Sequence, residues 1–341
     1  MQRAKIEGAL YGAAYGDSFG AITEFRSRDD ILQAFPEGYT DYTESISLIT
    51  KGIVPGTVTD DFGSSCYFMK AILKHDGHFD RDIAVEAVLD WSKDEVVFAK
   101  YAGQNTKSAM ERLKQGNIID EGLRARHFGR QNTNGGAMKA APMGLLARED
   151  HQLAIRFTKD LCWPTHYNGA AVSGACAIAC AVCEAQKEGA TVGSIIEQAI
   201  AGARQSRIQL DEEGFGAFGP YVDRRIGLAV DLGRQAKTEE EVYRLLEEMI
   251  GTGISVQESV PAVFAIMAAQ KGDLEASIRC AANAGGDTDT ISSMTGAILG
   301  GLHGAEAIRP EVIDRIQSCN QFLQLKETVE QYTNLILSKE R

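Results

Sequence analysis

The chain has 341 residues, 44% of them hydrophobic and 24% charged, which is ample apolar material for a sizeable core and excludes disorder as the default state. The formal net charge of −12 argues against a nucleic-acid partner, because a duplex binder needs a basic face to displace counterions. The same charge sets a problem for any phosphate-bearing ligand, which the overall field repels unless local cations attract it.

Apolar residues recur at three- and four-residue spacing through most of the chain and alternating runs are few, so an all-α fold is predicted. The opening helix is expected to run to about Phe25. Its mixed polar and apolar start, and the lack of any later run of about 18 apolar residues, predict a cytoplasmic protein without a membrane segment. Gly8, Gly12, Gly16 and Gly20 stand four apart in this helix. Each glycine costs about 1 kcal/mol against alanine, so the stripe predicts a neighbouring helix packed unusually close.

A second helix is predicted over Asp60 to Lys74, with Thr59 or Asp60 as its N-cap. The alanine-rich helix from Asn168 to Glu188 carries Cys176, Cys180 and Cys183 at helical rather than paired spacing, which predicts buried free thiols. Thr238 and Glu241 form a capping-box pattern at the start of a helix reaching Ile250. Further helices are expected from Val260 to Lys271 and from Thr290 to His303. No low-complexity linker, charge block or fixed-period repeat interrupts the chain, and one domain spanning 1–341 is the simplest organisation.

Two acidic motifs carry the chemistry. Thr59-Asp60-Asp61 lies where a loop becomes a helix, and adjacent carboxylates repel each other unless they are solvated, capping or facing a cation. An exposed, acid-rich helix start is the plain alternative for this motif alone. The second motif, Gly285-Gly286-Asp287-Thr288-Asp289-Thr290, again precedes an apolar helix. Its glycines permit sharp backbone geometry, and Asp287, Asp289 and the Thr290 hydroxyl are hard oxygen ligands suited to Mg²⁺ or Mn²⁺. An EF-hand would need a longer run of ligands ending in glutamate, which the apolar ISSMT stretch does not supply. A phosphatase-type DxDxT would need threonine where Ile291 stands. Taken together the two motifs offer four carboxylates and two hydroxyls, enough to hold two cations a few ångströms apart.

With these residues in view, the sequence resembles the ADP-ribosylglycohydrolase family over nearly its whole length. The likeness rests on GALYGAAYGDSFGAITE (8–24), GTVTDDFGSS, the NGGAM segment (134–138), PTHYNGAAVSGA (164–175) and NAGGDTDTISSMTGAILGGLHG (283–304). It implies an orthogonal helical bundle with a dinuclear Mg²⁺ or Mn²⁺ site, in which Thr59, Asp60, Asp61, Asp287, Asp289 and Thr290 match the metal-binding positions. It also implies catalytic parts for Glu24, Asp61 and Asp289, Glu24 acting as an acid/base or gate beside the metals. Asp17, seven residues before Glu24 and expected on the same helix face, is read as support for the helix.

The turn at Asn134, Gly135, Gly136 and Met138 offers backbone amides that suit a diphosphate without adding positive charge, and by resemblance contacts ADP-ribose. His166 matches a histidine lining the ligand pocket and is expected to orient phosphate or ribose rather than to transfer protons. Gly251-Thr252-Gly253 and the aromatic residues Phe215, Phe218 and Tyr221 are candidates for the adenosine side, with core or lid packing as the alternative.

The activity this implies is hydrolysis of the glycosidic bond between ADP-ribose and an acceptor, either a modified protein side chain or a related compound. A nucleoside or nucleotide N-glycosidase using the same dinuclear site is the rival enzyme. A non-catalytic reader of ADP-ribose is the rival from another class, disfavoured because all six ligand positions are retained.

Overall fold

The computed structural model describes residues 2–117 and 132–338. Among them are seventeen α-helices and no β-strand, the β pairing being confined to isolated bridges at Arg26/Gly286 and Thr133/Ser255. The all-α expectation therefore holds. No helix among the described residues is long and apolar enough to cross a membrane.

The glycine stripe dictates the central packing. The helices Arg3–Gly20 and Thr288–His303 form the most extensive helix pair in the described molecule. A Cβ added at Gly8, Gly12, Gly16 or Gly20 would overlap the carbonyl oxygen of Gly300, Gly296, Ser292 or Thr288 respectively. Glycines on the facing helix reciprocate, since a Cβ at Gly296 or Gly300 would overlap the carbonyl of Gly12 or Gly8. The two backbones touch directly, and no side chain larger than hydrogen fits at these levels.

Helix boundaries follow local chemistry. Thr59 caps the Asp60–Lys74 helix by accepting from the Asp61 amide at 3.3 Å. The helix expected from Val260 begins a turn earlier, at Val256, because Ser255 supplies the cap. The alanine-rich helix spans Gly169–Ala185 and is buried along its whole length, thiols included. All seven cysteines are free and only Cys319 is partly exposed.

Two expectations need correction. The opening helix stops at Gly20, and residues 21–25 tighten into turns through bonds such as Thr23 N–H to the Gly20 carbonyl at 3.1 Å. Glu24 therefore stands on the turn beyond the helix and does not share a helix face with Asp17. At the Thr238 start only half of the capping box forms. Thr238 accepts from the Glu241 amide, but the Glu241 carboxylate accepts from the Lys237 amide at 2.6 Å. That helix ends at Leu245 and gives way to a π turn over Leu246–Ile250.

Because the closest helix pair leaves no room for a methyl group, Gly12→Ala is expected to destabilise by about 3 kcal/mol, the upper end of overpacking costs. Gly227, inside the Val222–Gln235 helix, faces open space, so Gly227→Ala should stabilise by about 0.5–1 kcal/mol. Chemical denaturation midpoints of the two variants, moving in opposite directions, check the pair.

Candidate active site

Five loop segments meet where the paired helices end. The Phe25 amide donates to the Gly286 carbonyl at 2.7 Å and the Gly286 amide to the Arg26 carbonyl at 2.9 Å, tying the turn after the opening helix to the turn before Asp287. Gly285 and Gly286 both have φ near +80°, a region that favours glycine, and a Cβ on Gly286 would overlap Thr252. The Asp287 amide donates to the Thr252 carbonyl at 2.7 Å, and the Asn134 amide to the Ile254 carbonyl at 3.0 Å, which brings in the 251–255 and 132–136 segments.

The fifth segment carries Thr59, Asp60 and Asp61, and Asp17 positions it. Wholly buried, Asp17 accepts from the Thr59 amide at 2.9 Å, the Thr59 hydroxyl at 2.8 Å and the Phe62 amide at 2.8 Å. Its carboxylate thus satisfies the first turn of the Asp60–Lys74 helix from outside, an anion at a helix N-terminus. The Thr59 hydroxyl also lies 3.4 Å from an Asp289 oxygen, linking the two acidic motifs.

At the centre, Glu24, Asp287 and Asp289, all buried, each offer a carboxylate oxygen within 4.8 Å of the others. Asn134 donates to Asp287 at 2.6 Å and to the Ser259 hydroxyl at 3.1 Å. The Thr290 hydroxyl, buried beside them, eases the ionisation of Asp61 and Asp287. Three buried carboxylate oxygens, Glu24 Oε2, Asp61 Oδ2 and Asp289 Oδ1, have no hydrogen-bond partner in the protein. Such atoms are costly to bury, and hard-oxygen coordination of a divalent cation is the chemistry that suits them.

Electrostatics agree. Burial, followed by the charges of Asp287 and Asp60, raises Glu24 to about 9. Burial and Asp17 raise Asp60 to about 8. Asp61 and Asp289 are held well above the carboxylate range, first by burial and then by neighbouring acids. Asp287 is raised by burial, against the hydrogen bond from Asn134.

The other residues singled out from sequence fall into place unevenly. Asp60 is half-buried and stands outside the three-carboxylate group. Gly135 and Gly136 lie flat on buried side chains: a Cβ on Gly135 would come within 2.6 Å of His166 Nε2, and one on Gly136 within 2.8 Å of Cys162 Sγ. His166 is buried beneath this turn, its ring nitrogens 2.8 Å from the Thr165 hydroxyl and 3.1 Å from that of Thr133. Burial, reinforced by Lys139, pushes its pKa well below the usual value, so the ring is neutral. Met138 is buried. Phe215 is buried against Tyr167, whereas Phe218 and Tyr221 are exposed.

Sequence reading missed Ser259, which gives no motif signal, and Lys139. Lys139 is fully buried with no hydrogen-bond partner at Nζ, which lies 5.8 Å from the Trp91 ring centre and feels the charges of Asp60 and Asp61. A lone lysine in the apolar run AMKAAPMGLL was the available clue.

A helical frame enclosing partnerless carboxylate oxygens defines a fold suited to hard divalent cations. A family model described as ADP-ribosylglycohydrolase matches residues 1–340. An uncharacterized protein of Escherichia coli K12, YegU, is 30% identical over 94% of this chain and 94% of its own. The Bos taurus ADP-ribosylhydrolase ARH3 is 26% identical over 93% and 89%. A solved structure titled ADP-ribosylglycohydrolase-related protein complex superposes with a TM-score of 0.64 at 21% identity over 97% of each chain, a likeness of fold. The chain belongs to the ADP-ribosylglycohydrolase family and is accordingly a glycosidic-bond hydrolase.

The raised carboxyls predict how stability varies with pH without added metal. They titrate near 4 when unfolded and much higher when folded, Glu24 near 9, so their stabilising contribution is complete below about pH 4. It is lost as pH rises towards 9. In chelator, the melting temperature should therefore fall between pH 5 and 9, and Mn²⁺ should restore it most at the alkaline end. Scanning fluorimetry across that range tests this, and a flat profile in chelator would count against the buried cluster.

Proposed function

We propose that this protein removes ADP-ribose from an acceptor by hydrolysing the glycosidic bond at the distal ribose, using Mg²⁺ or Mn²⁺ held as a pair by Thr59, Asp60, Asp61, Asp287, Asp289 and Thr290. The partnerless buried oxygens of Asp61 and Asp289 carry the cation reading, and that of Glu24 beside them carries the proton transfer. Relatives titled ADP-ribosylhydrolases over nearly their whole length support the substrate class. The acidic motifs of both chain ends and the loops between them would act together as one domain. Bound cations would supply Lewis acidity, a template for ribose hydroxyls, and the local positive charge that a protein of net charge −12 otherwise lacks for a diphosphate.

The side chains divide the remaining work. Glu24 Oε2 is the atom that takes a proton from attacking water or returns one to the departing acceptor, being buried and partnerless at the edge of the carboxylate group. Asp61 and Asp289 hold negative charge against the oxocarbenium-like sugar. Asn134 orients Asp287, and its turn, through Gly135, Gly136 and Met138, lies against the diphosphate. His166, neutral and bonded to Thr133, fixes that turn and presents it to phosphate or ribose.

Asp289→Asn should lower turnover of ADP-ribosylated arginine or serine peptides by at least about 10³-fold while raising the melting temperature in chelator, since it removes one charge from a repelling group at constant volume. Release of free ADP-ribose, read by chromatography alongside the melting curve, checks both. Glu24→Gln should slow the chemical step by about 10²-fold with little change in ADP-ribose affinity measured by calorimetry. Wild-type protein that binds no ADP-ribose with saturating Mg²⁺, yet cleaves ribonucleosides, would replace this reading with a nucleoside glycosidase.

A further inference from the structure

The backbone leading into the Thr59–Asp61 segment is held from a second side by a residue 262 positions from Val58. Asn320, at the end of the Pro310–Cys319 helix, is wholly buried and uses its amide on the backbone just before the acidic motif. Its Oδ1 accepts from the Val58 amide at 3.0 Å, and its Nδ2 donates to the Gly56 carbonyl at 2.9 Å and to the Ile316 carbonyl at 2.8 Å. The next amide along, that of Thr59, donates to Asp17. Successive backbone amides are thus fixed by side chains from opposite ends of the chain.

The same helix end grips the preceding residues. Arg315 donates to the Pro55 carbonyl at 3.3 Å, and the Cys319 thiol approaches that carbonyl at 3.7 Å. Gly56 has φ +106°, and a Cβ there would lie 2.6 Å from Arg315 Cγ. The segment therefore has one path into the acidic motif, and the Pro310–Cys319 helix defines it.

We infer that Asn320 is a positioning residue for the cation site: by pairing with Gly56 and Val58 it places Thr59, Asp60 and Asp61 opposite Asp287 and Asp289, and so sets cation affinity without touching the cation. The inference rests on the proposed metal-holding role of those residues. A ligand segment displaced by even half an ångström loses the oxygen geometry that octahedral cations demand.

The test is titration of Mn²⁺ alone into metal-free full-length protein, followed by calorimetry well below the melting temperature, with circular dichroism confirming the fold. Asn320→Ala should weaken Mn²⁺ binding at least tenfold. Asn320→Asp, which keeps the acceptor for the Val58 amide but loses both donors, should fall between it and wild type and serves if the alanine variant does not fold. Leu210→Ala, a buried truncation in the Val192–Glu212 helix, is a stability control and should leave the Mn²⁺ dissociation constant within twofold of wild type. Wild-type affinity in both Asn320 variants, or equal weakening in Leu210→Ala, overturns the positioning role alone. Failure of the wild-type protein to bind Mn²⁺ overturns the metal reading and this inference with it.

Discussion

Backbone contact between the opening helix and the Thr288–His303 helix is the constraint on which the rest of the molecule depends. Glycine on both helices lets carbonyl oxygens of one approach Cα atoms of the other, a separation that alanine would already forbid. Close packing of this kind fixes both the distance and the rotation of the two axes, because sliding either helix brings a side chain against backbone. Asp17 rides on one partner and Asp289 on the other. The turn carrying Glu24 leaves the C-terminal end of the first helix as Asp287 enters the N-terminal end of the second.

The cost of what this contact assembles is electrostatic. Two like charges 4 Å apart repel by about 4 kcal/mol at an effective dielectric near 20, and here several carboxylates share a space that excludes water. Burial first, and then the charges of neighbouring acids, drive Glu24, Asp61 and Asp289 above their ordinary range. The charge of the buried Lys139 offsets part of the repulsion at Asp60. Under the proposed cation-holding role, frame stability and cation affinity would be coupled, since the packing that holds the acids together disfavours their ionisation unless a cation is bound.

Helix N-termini and the turns beside them carry the residues assigned to the proposed site, and buried polar side chains hold them in place. Asp17 and Asn320 hold the approach to Thr59, and Asn134 joins its own turn to Asp287. Asn283, wholly engaged with the Tyr39 backbone and the Arg279 carbonyl, steadies the helix end before Gly285. A buried amide satisfies donor and acceptor at once, so it can substitute for a strand partner where no sheet exists.

Periodicity and local capping made the all-helical class, the glycine stripe, the Thr59 cap and the two acidic motifs legible in the sequence, because each is written within one or two turns of chain. Shared hard-oxygen chemistry paired the two motifs, whose Thr59 and Asp289 stand 230 residues apart, and the family resemblance supported the pairing. Tertiary structure alone decided the rest. The chain beyond Gly20 is tied to Gly286 through Phe25 and Arg26, and the place of Glu24 among the carboxylates goes with that pairing rather than with helical phase. Asn320 and Ser259 carry no local signature, since an amide or hydroxyl reads as ordinary surface until its distant backbone or side-chain partner is known. Burial of Lys139 and the neutrality of His166 likewise arise from neighbours brought in by the fold, and the free energy of a charge is set by those neighbours, not by the residues beside it in the chain.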